Sequence, residues 1–116
     1  MTTLTDLAYL ERFCKGDRAR MERYVNMYIQ GSPAMFADLG SKLAAGDAEG
    51  LAIVAHSLRP QVNYMGATRL FDLLTTIETM ARAEGAAACT ELVKDGQALN
   101  RSAIQELTGW LHPEQA

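Results

Sequence analysis

Apolar residues recur along this chain at intervals of three and four from one end to the other, and that spacing predicts helices throughout. Thr3 with Asp6 three positions later forms an N-cap pattern, and Leu7, Leu10 and Cys14 follow before Gly16, which reads as a short first helix. Asp17 caps the next segment, where Met21, Tyr24, Val25, Tyr28 and Ile29 keep one face before Gly31 ends it. Ser32 then Pro33 has the form of a cap followed by a first helical residue, so a new helix is expected there, with Phe36, Leu39 and Leu43 inward and Gly46 closing it. Asp47 opens a helix that runs to Gly66, and Ala67 to Glu84 carries Leu70, Leu73, Leu74, Ile77 and Ala81 on one side. The connection between those two is very short, which predicts an antiparallel hairpin.

From Ala86 to about Leu111 a single stripe of Ala88, Leu92, Gly96, Leu99, Ala103, Leu107 and Trp110 predicts one long helix. Gly96 costs that helix about 1 kcal/mol against alanine, and the expected return is close approach of a neighbour. Pro113 ends order, leaving 113–116 as a disordered tail. The reading is all-α, with six helices, no alternating strand pattern and no repeat. Residues 1–31 supply N-terminal helices and 32–112 a bundle core within one domain, 1–116. Four helices, counted from Ser32 or Asp17 onward, can close an antiparallel bundle.

Composition narrows the function classes. A chain of 116 residues has room for one core, and 48% hydrophobic with 22% charged residues is a globular balance. A net charge of -3 argues against nucleic acid and against an anionic membrane surface. Cys14 and Cys89 lack the spacing of a metal or redox pair, so both are expected as buried small hydrophobes in a reducing compartment. The N-terminus MTTLTDLAYLERF carries acidic residues and no apolar core of a signal peptide, and no apolar run is long enough for a membrane span. A cytoplasmic location is therefore expected. Nucleotide-binding loops and hydrolase motifs are missing from the sequence, so the chain is not expected to phosphorylate itself from ATP.

One stretch departs from ordinary core patterning. On a wheel of about 100° per residue, Leu51, Val54, Ala55, Leu58, Val62 and Met65 form the apolar stripe of the helix after Asp47, and His56 points roughly 150° from its middle. The residues expected to share its face are Ala52, Arg59, Pro60 and Asn63. An imidazole with an ordinary pKa of about 6.5 is mostly neutral near pH 7 and can act as a nucleophile. Arg59 can then offset the charge of an anionic group placed on it. Asn63 is either a hydrogen-bonding group for a visitor or an ordinary solvated side chain. His112, beside Pro113 at the last helix end, reads as solvated. No carboxylate lies one turn away from His56.

His56, Leu58, Arg59 and Gly66 occupy four places of a spaced motif, and the run resembles the active helix of histidine phosphotransfer (HPt) domains. Two places differ from the commonest form: Arg59 stands for a lysine, which keeps the charge, and Pro60 for a glycine, which removes a backbone N–H. Histidine-kinase dimerisation helices usually put an acid directly after the histidine and a proline five on, whereas here Ser57 follows and Pro60 is four on. The resemblance implies an up-and-down four-helix bundle with the histidine exposed midway along a core helix. It further implies a phosphorelay intermediate that is not itself a kinase, in which Nε2 of His56 accepts a phosphoryl group from a receiver-domain aspartyl phosphate and passes it to another receiver. Response-regulator receivers, with a hybrid histidine kinase as a further candidate, are the implied partners of a monomer, and Mg²⁺ is expected on the receiver. Ala52, Ile53, Pro60 and Asn63 are the expected docking residues. The missing carboxylate suggests a site without its own general base, hence a long-lived phosphohistidine. The competing class is a helical adaptor, or a degenerate HPt, that docks partners and carries no phosphate.

Overall fold

One helix runs without a break where the Ser32–Pro33 pair predicts two. In the computed structural model, which describes residues 3–115, the elements are α1 (Ala8–Phe13), α2 (Arg18–Ala44), α3 (Ala48–Tyr64), α4 (Thr68–Glu84) and α5 (Thr90–Leu111). Short 3-10 turns fill Ala86–Cys89 and Pro113–Gln115. Five α-helices are thus present among the described residues, and the proposed boundary between 31 and 32 falls inside α2. The reason is burial. Met21, Val25, Tyr28, Ser32, Phe36 and Leu39 form one uninterrupted inward row. Each large apolar member contributes about 1.5–3 kcal/mol, more in sum than the roughly 3 kcal/mol that an interior proline costs. Ser32 is fully buried and caps nothing: its Oγ accepts a hydrogen bond from Asn100 Nδ2 at 3.0 Å.

The long helices form an up-and-down bundle. α3 and α4 share the most extensive contact, α2 packs on both α3 and α5, and α4 also meets α5, which puts α3 and α5 on the diagonal. The α3–α4 hairpin turns at Gly66, whose φ of +64° suits glycine. A second demand falls on the same residue, because the N-terminal segment crosses it: Asp6 N–H donates to the Met65 carbonyl at 3.0 Å. The segment is also held on α5, where the Glu106 carboxylate accepts from Leu4 N, Thr5 N and Thr5 Oγ1 at 2.8–3.0 Å. Leu7, and not Thr3, stands at the N-cap of α1, without a side-chain cap, and Asp6 Oδ1 just before it accepts from Ala8 N.

The last helix departs from its expected stripe at the start. Its opening turn is 3-10, so the phase slips: Ala88 is exposed, Cys89 is buried, and the inward row continues as Val93, Gly96, Asn100, Ala103 and Leu107. Gly96 does admit its neighbours, since a Cβ there would stand 3.0 Å from Leu73 Cδ2 and 3.7 Å from Phe36 Cε1. Asn100 is a polar residue in that row. Tyr28 Oη donates to its Oδ1 at 2.6 Å, and burial pushes the Tyr28 pKa well up, so the phenol stays a donor. Cys14 and Cys89 are buried free thiols, and burial with the charge of Glu84 pushes the Cys89 thiol up. Beyond α5, Pro113–Gln115 form a turn where a disordered tail was expected; Ala116 lies outside the described residues.

Candidate functional site

Asp47 starts α3 by accepting from Gly50 N at 2.8 Å, and the buried row Leu51, Ala55, Leu58 and Val62 fixes which way the helix faces. His56, at its middle, therefore points to solvent with 65% of its side chain exposed. Pro60 one turn later leaves the His56 carbonyl without a ladder donor, yet α3 continues through it to Tyr64.

The helix beside it supplies what α3 lacks. Glu78 of α4 brings its carboxylate to Nδ1 of His56 at 3.1 and 3.2 Å. This corrects the expectation of a histidine with no acid beside it, which considered only residues of its own helix. His56 and Glu78 stand equally far in sequence from Ala67 at the hairpin turn, so a register count across the antiparallel pair is the signal that would have found Glu78. Its side chain is only 14% exposed. Burial pushes its carboxyl pKa up, but the hydrogen bonds and charges of His56 and Arg59 outweigh that and hold it below the ordinary glutamate value. An ionised carboxylate only accepts hydrogen bonds. Nδ1 must then carry the proton, and the free lone pair of the ring is on Nε2, on the side away from Glu78.

Arg59 takes part in the same cluster. Its Nη1 donates to Glu78 Oε1 at 3.1 Å, its guanidinium carbon sits 4.9 Å from the centroid of the Phe71 ring, and its buried Nε has no hydrogen-bond partner. The side chain is 29% exposed, so this cation is held between ring and carboxylate instead of extending freely into solvent. Arg82, one turn along α4, donates through Nη1 to Glu78 Oε2 at 3.0 Å and forks onto Glu49 of α3 at 3.1 and 3.3 Å.

The expected docking residues divide. Ile53, Pro60 and Asn63 are exposed around His56, Ile53 at 52%. Ala52 is not: it is fully buried, because it lies on the α4 side of His56, where the closest helix pair meets and covers a short methyl. Tyr9 and Phe13 of α1 are 42% and 41% exposed and join Tyr24 and Tyr64 in a ring cluster with centroids 5.4–6.5 Å apart. Tyr64 lies one turn past Pro60, so an apolar strip runs along α3 from Ile53 past His56 to α1. His112 stays near solvent, 4.0 Å from Glu114.

The arrangement offers a solvent-facing imidazole nitrogen with its tautomer set, on a rigid mount, beside an accessible apolar strip. No cluster of His, Cys, Asp or Glu able to hold a metal occurs among the described residues, and none of their helices is long and apolar enough to cross a membrane. No curated protein and no solved structure gives a match to the chain. A family model does: that of the Hpt domain matches residues 23–110, from within α2 to near the end of α5, and so spans both helices that carry the His56–Glu78 pair. The chain belongs to the Hpt domain family, and with it to the phosphotransfer modules of two-component signalling that interact with the receiver domains of response regulators.

Proposed function

We propose that this protein is a relay intermediate in which Nε2 of His56 takes a phosphoryl group from the aspartyl phosphate of one receiver and delivers it to the aspartate of another. The observation that carries this reading is the Glu78 carboxylate 3.1–3.2 Å from Nδ1 of His56, on a side chain 65% exposed, which leaves Nε2 as the ring nitrogen open to a visitor. On acceptance the Nε2 lone pair forms the P–N bond while the P–O bond to the aspartate breaks, and that electron pair leaves with the carboxylate. The ring becomes an imidazolium whose positive charge Glu78 faces through Nδ1–H. On delivery the P–N pair returns to Nε2. No proton need move in either direction, because Nδ1 keeps its own throughout.

Phosphoryl transfer depends on in-line placement and charge neutralisation more than on covalent machinery. The rigid α3 supplies the placement. The receiver's acidic pocket would hold the Mg²⁺ that neutralises charge on the transferring group, and Arg59, bonded to Glu78 Oε1, offsets the charge of that carboxylate beside the site. Glu78 does not act as a base toward water at phosphorus, since it lies on the Nδ1 side of the ring; a long-lived phosphohistidine remains the expectation, on that geometry. Ile53, Pro60 and Asn63, joined by Tyr64 and the half-exposed rings of Tyr9 and Phe13, form the docking surface for the receiver, with apolar area for affinity and few long side chains in the way.

The test is incubation with a panel of receivers carrying labelled aspartyl phosphate. Acid-labile label should appear on this chain and be lost in His56→Gln, with helical content unchanged by circular dichroism. Label retained by the variant would place the acceptor elsewhere. Binding to receivers with no labelling of the wild type would leave a docking adaptor.

A further inference from the structure

Beyond the residues that touch the imidazole, a ladder of opposite charges crosses from α3 to α4 and ends on it. Glu49 lies two turns before His56 on nearly the same face of α3, and its carboxylate receives the forked guanidinium of Arg82, Nη2 to Oε1 at 3.1 Å and Nε to Oε2 at 3.3 Å. The remaining arm of Arg82, Nη1, holds Glu78 Oε2 at 3.0 Å, and that same oxygen makes the shorter contact to His56 Nδ1, 3.1 Å. Oε1 is held by Arg59. Each oxygen of Glu78 is therefore pinned by a different arginine, and the carboxylate presents itself to the imidazole in one orientation.

From this geometry we infer that Arg82, steadied by Glu49, is a positioning residue for phosphoryl transfer, setting the Glu78 carboxylate against Nδ1 so that the Nε2 lone pair faces the incoming group. The inference rests on His56 being the acceptor. Two effects of Arg82 oppose each other. Its charge weakens Glu78 as an acceptor, while its grip removes rotational freedom from a side chain with three torsions. The grip dominates, because Arg82 is 46% exposed and its charge is screened by water. Without it only Arg59 would anchor Glu78, through Oε1 alone, and the carboxylate would swing about that single bond. Neutral imidazole not held at Nδ1 divides between two tautomers, one of which has its lone pair on the wrong nitrogen.

The experiment has two readouts. Nitrogen-15 shifts of the His56 ring, measured on unphosphorylated full-length protein at a pH where the ring is neutral, report the tautomer ratio, and initial labelling by a phosphorylated receiver reports the rate. Arg82→Gln should move the ratio away from the Nδ1–H form and slow labelling about fivefold, less than the roughly hundredfold that a 1 Å misplacement costs, because the ring is loosened and not displaced. Glu49→Gln should act in the same direction and more weakly, and Arg82→Lys should recover most of the tautomer preference through its contact with Glu78. Circular dichroism checks that the variants keep the fold; should Arg82→Gln not fold, Glu49→Gln carries the test alone. A wild-type tautomer ratio in Arg82→Gln would overturn the inference, and so would faster labelling, which would make Arg82 a charge damper. The ratio is read without any phosphate, so the positioning can be judged even if no receiver labels the wild type.

Discussion

Replacing Gly66 by alanine should destabilise the protein by about 3 kcal/mol, and the structure separates that figure into two parts. A φ of +64° places the residue in the left-handed region, which costs an L-residue about 1 kcal/mol. The second part is steric. A Cβ at Gly66 would run into the backbone of Asp6, whose carbonyl carbon and nitrogen would stand 2.7 and 2.8 Å from it. Backbone cannot rotate aside as a side chain can, so the N-terminal segment must lift. Lifting it sacrifices the Asp6 N–H bond to the Met65 carbonyl and strains the donors of Leu4 and Thr5 on Glu106. At about 0.5–1.5 kcal/mol net for each bond, and toward the low end for groups near solvent, roughly 2 kcal/mol is lost there. Gly46→Ala is the matched control, since its φ of +67° is similar and a Cβ there meets nothing within 4 Å; it should show the conformational part alone. Urea unfolding of both variants gives the difference, and amide exchange at Asp6 should quicken only in Gly66→Ala. Equal destabilisation of the two would refute the argument that the N-terminal crossing, and not only the turn, requires glycine.

Two further substitutions test the polar contacts. Glu78→Gln keeps an acceptor for Nδ1–H but loses the charge assistance, a difference of about 1 kcal/mol, so labelling of His56 should slow by roughly fivefold; an unchanged rate would make Glu78 a purely structural partner of Arg59. The same variant should alter acid stability. The folded Glu78 pKa is depressed, so its contribution is complete above the ordinary glutamate value of about 4.3 and fades as pH falls through the lower folded value; the stability gap between wild type and Glu78→Gln should therefore narrow on acidification, and a constant gap would contradict the shift. Asn100→Ala strands the buried Tyr28 hydroxyl and Ser32 Oγ together and should cost about 3 kcal/mol in a denaturant titration; a loss below about 0.5 kcal/mol, the usual surface range, would mean that water replaces the amide.

Helix content, the outward direction of His56 and the glycine at the hairpin turn were all legible in the order of residues, because each is a local matter. A helix maps sequence spacing onto angle, so an apolar stripe states where solvent must be without reference to any other segment. The same locality explains the misreadings. Ser32 and Pro33 have every mark of a helix start, and only the continuous burial of α2 against α3 and α5 outvotes them. Ala52 looks as exposed as His56 on a wheel, but a wheel does not show that α4 lies over that side. Asn100 sits in an apolar row whose polar partners come from another helix.

What the tertiary structure alone decided is the chemistry around the imidazole. Glu78, Arg82 and the N-terminal crossing at Gly66 reach the α3 region through the register of a hairpin and the path of a distant segment, and neither is written in the periodicity of α3. The chain by itself specified an imidazole standing in water on an all-helical scaffold. Packing added the acid that fixes its tautomer, because contacts across helices depend on how the helices align, a relation between segments that no single segment encodes.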